Sequence, residues 1–107
     1  MEIININDIQ NFQDSKVIKK IPLISNQLMS TILFIGNNTT TPSHKHLVFD
    51  EIHYIIQGAG KMTINGKSQP VTKGMMILVP KSKPHSFSTL KKQMTVLSVN
   101  LVPNFKK

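Results

Sequence analysis

Short apolar runs rich in β-branched residues recur along this 107-residue chain, and each is cut off by Gly, Pro, Asn or Ser. Leu28–Ile35 stops at Gly36-Asn37-Asn38, Ile52–Ile56 at Gly58, and Met75–Val79 at Pro80. Val17-Ile18, Thr31-Ile32 and Val96–Val102 continue the β-branched usage. Runs of this length and punctuation specify short strands, and no segment carries the apolar period of a long amphipathic helix. The chain is therefore expected to be all-β, a sandwich or barrel. At most one helical turn is predicted, at Asn7–Phe12, with Asn7 or Asp8 as its cap. One hairpin is nearly explicit: Met62-Thr63-Ile64 leads into Asn65-Gly66, the pair that accepts the positive φ angles of a type I′ turn. The return strand Lys67–Val71 contains Pro70, which places it at an edge.

Several classes are excluded by what the chain lacks. It has no cysteine, which removes disulfide frameworks, thiolate zinc sites and cysteine nucleophiles. No apolar run approaches the roughly 18 residues of a membrane span. Met1-Glu2-Ile3-Ile4-Asn5 does not read as a signal peptide, so a single cytoplasmic domain is expected, residues 1–20 forming an N-terminal arm with edge strand. All basic residues are Lys, thirteen against five acids, for a net charge of +8. Every acid falls within residues 1–51; the remainder holds nine Lys and none. That skew either suits an anionic ligand or reflects only the composition bias of a chain rich in Ile, Asn and Lys. Nucleic acid is disfavoured, because Arg, the usual bidentate reader of bases and phosphates, is absent and the Lys are mostly dispersed.

Three of the four His fall into a pattern with Glu51. On a strand, His44 and His46 project from the same face. Glu51 is an odd step from His46, so a bend or bulge must intervene before it turns the same way. Gly58 closes the predicted strand Glu51–Gln57. Further on, Gly74 precedes Met75–Val79, and His85 opens a strand to Thr89. Three imidazoles and one carboxylate on neighbouring strands make a site for one divalent transition metal, with positions left open; Fe, Mn, Co, Ni, Cu and Zn all suit it.

These residues resemble the two motifs of the cupin family. His44, His46, Glu51 and Gly58 match the first motif, whose leading glycine falls on Asn38. Gly74, Pro80 and His85 match the second, whose inner glycine falls on Ser82 and final Asn on Thr89; Met75 stands where an acid is usual. The motifs span residues 38–89, with a short gap between Gly58 and Gly74, as in small single-domain cupins. The resemblance implies an antiparallel jelly-roll barrel holding the metal on His44, His46, Glu51 and His85. It also implies a homodimer, with Glu2–Ile6 as a strand that a partner's sheet can accept.

Alternation from Glu51 turns His53, Ile55 and Gln57 inward and Ile52, Tyr54 and Ile56 outward, and Phe87 is inward with His85. The outward apolar face calls for cover by a second sheet or a partner chain. Met62 shares a face with Ile64 as barrel lining. His53 lies one pleat beyond Glu51, where it serves as a donor behind the metal, as an acid/base, or as packing. Lys81 and Lys83, on the turn before His85, are either candidate substrate contacts for a carboxylate or phosphate or simply solvated surface charges.

The leading expectation is a metal-dependent oxidoreductase of the dioxygenase type acting on a small oxygenated or anionic molecule. An oxalate-decarboxylase-like lyase is weaker, because no acid follows Glu51 and Asp50 faces away. A sugar or sugar-phosphate isomerase or epimerase, using His53 as base, and a non-enzymatic metal- or ligand-binding module are the alternatives.

Overall fold

The computed structural model describes residues 1–102. One helical turn, α1 (Ile6–Ile9), precedes seven strands: β1 (Val17–Lys20), β2 (Leu28–Ile35), β3 (Glu51–Ile64), β4 (Lys67–Thr72), β5 (Met76–Val79), β6 (His85–Ser88) and β7 (Met94–Leu101). Every pairing among the strands is antiparallel. The expected all-β jelly-roll architecture is what the chain adopts. The helical turn starts one residue earlier than predicted, because Asn5 and not Asn7 caps it: the Asn5 side chain accepts from the Asn7 N–H.

β3 is shared by both walls of the barrel. Its first half pairs with β7 on one side and β5 on the other. Its second half pairs with β4 and β6. One wall therefore runs β1-β2-β7-β3-β5. The other is β4-β3-β6, extended by bridges from Thr40 to Ser88 and from His44 to His85.

Gly58 is expected to close a strand. Instead, the 14-residue β3 passes through it. Gly58 has φ of 86°, and the register against β7 slips between Ile55 and Gln57. The glycine is thus a bend that carries one strand from wall to wall. The slip also corrects the expected inward set: Glu51, His53 and Ile55 are buried, but Gln57 is exposed. The Asn65-Gly66 hairpin forms as read, with φ of 50° and 82°, and β4, with its Pro70, is an edge strand. Asn38 and Ser82, standing at two motif glycines, both hold positive φ, at 49° and 67°.

Ile35, Ile55, Met62, Val71, Val79, Phe87, Met94 and Val96 form the core between the walls. On the opposite face of β2, the arm covers Phe34, which meets the Phe12 ring edge-on with centroids 5.5 Å apart. Beyond the arm, Ile52, Tyr54, Met76, Leu78 and Val99 stay exposed, so the expected cover extends over only part of this face. Residues Glu2–Asn5 are not in a strand, and Ile6 opens α1. Among the described residues, no helix is long and apolar enough to cross a membrane.

Candidate metal centre

The site is assembled where the second wall meets the mouth of the barrel. His85 begins β6 and is fully buried. His44 sits opposite it in an isolated bridge: its N–H donates to the His85 carbonyl (3.1 Å), and the His85 N–H donates back (2.9 Å). The same ladder starts upstream, where Thr41 N–H donates to Phe87 carbonyl and Thr89 N–H to Thr39 carbonyl, both at 2.8 Å. It does not run on unbroken: Thr40 lies opposite Ser88 but His44 opposite His85, so the register slips by one residue across Pro42-Ser43. His44 and His46 therefore lie in an irregular segment and not on the regular strand that would set their common face.

Two backbone ties fix the loop that follows. Ser82 N–H donates to the His46 carbonyl (2.6 Å), and Lys81 N–H donates to Asp50 Oδ1 (2.8 Å). The expected bend between His46 and Glu51 is present, and Glu51 starts β3 with its side chain buried. The ring centroids of His44 and His85 are 4.2 Å apart, and those of His44 and His46 are 5.3 Å apart. His46 Nε2 lies 3.0 Å from Glu51 Oε2, and His85 Nε2 lies 3.6 Å from Glu51 Oε1. The structure thus brings His44, His46, Glu51 and His85 together.

The donors fit a transition metal. Two ligands held on one ion at roughly 2.0–2.1 Å lie about 3–3.5 Å apart, close to the separations seen here. More telling is His85, whose Nδ1 donates to the Lys83 carbonyl at 3.2 Å. That bond fixes the proton on Nδ1 and leaves the Nε2 lone pair bare, and Nε2 is buried without a partner. His44 repeats the arrangement, with Nδ1 on the Pro42 carbonyl at 3.3 Å. Two groups of three donors satisfy metal spacing, His44-His46-His85 and Glu51-His53-His85, and they share His85.

The electrostatics of two donors, Glu51 and His85, favour the ligating form. Burial pushes the Glu51 carboxyl up, but the hydrogen bond from His53 and the charges of His53, His46 and His85 outweigh it and hold Glu51 below the ordinary carboxylate value. Burial is also the leading influence on His85 and, despite the opposing Lys83 carbonyl, lowers its pKa below the usual imidazole value. A carboxylate facing a neutral imidazole is the state that binds a cation.

A cavity of about 380 Å³ opens beside these donors, with His44, His46, Glu51 and His53 in its lining. Val17, Met29, Leu33 and Val96 make it largely apolar, while Thr31 and Ser98 supply hydroxyls. Glu51 is the sole acid among the described lining residues, and Lys19, exposed on β1, is the sole Lys. Lys81 and Lys83 do not line this cavity; they are exposed on the turn between β5 and β6. Lys19 was missed because its face follows from pairing with Leu33 across β1 and β2, a register that no local motif announces. Asn100, also in the lining, donates from Nδ2 to Glu51 Oε2 and was missed for the same reason.

Residues 32–100 match the family model for the cupin domain. The chain belongs to the cupin family. Among curated proteins, this cupin is 33% identical over 67 residues to the uncharacterized protein MJ1618 of Methanocaldococcus jannaschii, covering 63% of this chain and 52% of that one. It thus spans about half the length of that relative. Among solved structures, the polyketide cyclase RemF of Streptomyces resistomycificus superposes with TM-score 0.81 at 19% identity, covering all of this chain and 87% of that one. KdgF of a Halomonas species superposes with TM-score 0.77 at 21% identity, covering 97% and 96%. At such identities the likeness is one of fold.

Proposed function

We propose that this cupin is a metal-dependent oxidoreductase of the dioxygenase type, acting on a small organic anion with an apolar body. The observation that carries the reading is the cavity: metal-fitting donors on one side, an apolar wall beside them, Lys19 exposed on its lining, and no acid other than Glu51 among the described lining residues. A bound Fe(II) or Mn(II) would supply redox chemistry and open coordination positions.

The chain's own residues would do the rest. His44, His46, Glu51 and His85 would hold the ion. The Lys19 ammonium would draw the charged end of the substrate toward the cavity. Val17, Met29, Leu33 and Val96 would seat the apolar body and exclude water, while the Thr31 and Ser98 hydroxyls orient its oxygens. With Glu51 committed to the ion, the described lining residues offer no second carboxylate to shuttle protons, which disfavours decarboxylase chemistry.

The reading is tested by elemental analysis of untagged protein purified without chelator, followed by O2 uptake against small 2-oxoacids, 1,3-diketones and diols. The expected result is about one equivalent of Fe or Mn per chain and O2 consumption that prefers the anionic compounds. Lys19→Met should raise KM for those anions while leaving the neutral diketones unchanged. Zinc or nickel without O2 uptake would overturn the oxidoreductase reading. It would favour Lewis-acid chemistry such as cyclisation, to which the fold's likeness to a polyketide cyclase lends support.

A further inference from the structure

Five donor side chains converge at this site, one more than the two cupin motifs account for. The additional one is His53, buried on β3 with Nε2 3.1 Å from Glu51 Oε1. That separation alone does not say what His53 does, because it suits both two ligands on one ion and a hydrogen bond. The other ring nitrogen decides. An imidazole that ligates a metal passes its remaining N–H to an acceptor. His44 and His85 do so, through the Pro42 and Lys83 carbonyls. His53 Nδ1 is buried and has no partner. If His53 gave Nε2 to an ion, its proton would sit on Nδ1 as an orphaned buried donor, a state that folded proteins avoid. With the proton on Nε2 it is used by Glu51, and only a lone pair goes unmatched.

The other carboxylate oxygen is held from β7. His53 pairs with Ser98, so extending the antiparallel register by two residues sets Glu51 opposite Asn100. The Asn100 Nδ2 donates to Glu51 Oε2. We infer that His53 and Asn100 are positioning residues: a two-sided clamp that fixes the Glu51 carboxylate toward the ion, with neither side chain a ligand. The Phe87 ring packs against the His53 imidazole in an edge-to-face arrangement, centroids 5.4 Å apart at 63°. The inference rests on the metal-site reading and not on the proposed reaction.

The test counts imidazoles. The chain's four His all lie at this site, so pulsed EPR of the Cu(II)-loaded protein reads it without background from other histidines. Wild-type protein should show three coordinated imidazoles, and so should His53→Ala and Asn100→Leu. His85→Ala should show two. Cu(II) affinity, measured by chelator competition, should fall about 10–100-fold in His53→Ala and in Asn100→Leu. His53→Gln, whose amide can still donate to Glu51, should recover most of that loss.

Four imidazoles in the wild type with three in His53→Ala would make His53 a ligand and overturn the clamp. Unchanged affinity in both His53→Ala and Asn100→Leu would reduce the pair to packing. Absence of Cu(II) binding by wild-type protein would overturn the metal reading itself, and the clamp with it. Asn100→Leu sits on a different strand, so a folding defect in His53→Ala leaves the question answerable.

Discussion

Replacing Gly58 with alanine probes the bend that lets one strand serve both walls. Two penalties combine there. With φ at 86°, a side chain is forced into the left-handed region, at a cost of about 1–2 kcal/mol. In addition, the new Cβ would overlap the Gln93 carbonyl oxygen and come within 2.8 Å of Met94 Cα, both backbone atoms of the entry to β7. Relieving such overpacking typically costs a further ~1–3 kcal/mol. Gly74 separates the two contributions, because its φ is 93° yet nothing lies within 4 Å of a Cβ built there. Urea unfolding of the metal-free protein should therefore show Gly74→Ala destabilised by about 1–2 kcal/mol and Gly58→Ala by about 2–5 kcal/mol. If the two variants unfold within about 0.5 kcal/mol of one another, the close approach of β7 is not a constraint and the account of the bend is wrong.

Acid should weaken the metal-free chain in two stages, because His85 and Glu51 both titrate below their ordinary values in the fold and the unfolded chain takes up protons first. The His85 contribution is intact above its ordinary value of 6.5 and fades as pH falls below it; that of Glu51 is intact above 4.5 and fades below that. Urea midpoints that stay flat from pH 7 to pH 4 would contradict this. Phe87→Ala, which empties a position only 2% exposed beneath His53, should cost about 3–5 kcal/mol, whereas Leu90→Ala, 78% exposed, should stay within about 0.5 kcal/mol in the same assay.

Local chemistry made much of this molecule legible. The ends of β2 follow from the run Leu28–Ile35, the hairpin from Asn65-Gly66, and the start of β6 from His85 after the turn that Pro80 begins. These signals act over a few residues, where propensity and turn geometry dominate. The fate of Gly58 was not legible, because a glycine that ends a strand and one that bends it look alike until the partner strands are known. The exposed Gln57 follows from the same slip in register. At the site, motif spacing identified His44, His46, Glu51 and His85, but not the side chains set by long-range pairing. Asn100 reaches Glu51 only because β7 lies beside β3, and Lys19 lines the cavity only because β1 closes on β2. Lys81 and Lys83 are near His85 in sequence, yet both are exposed and neither lines the cavity.

The position of β7 bears on how the chain reaches this fold. β2 and β3 are consecutive strands, but they do not pair; β7 lies between them and bonds to both. The β3–β4 hairpin can zip up from its own turn. The larger wall cannot, since Leu28 must wait for Leu101 and Glu51 for Asn100. Such distant pairings incur loop-closure entropy before any contact repays it, which places folding in the slow, millisecond-to-second class of β proteins. In the interval, β2 and β3 present unpaired edges and the apolar faces of Ile35 and Ile55 to their surroundings. During synthesis, this chain is most vulnerable to association in the period before its seventh strand is made.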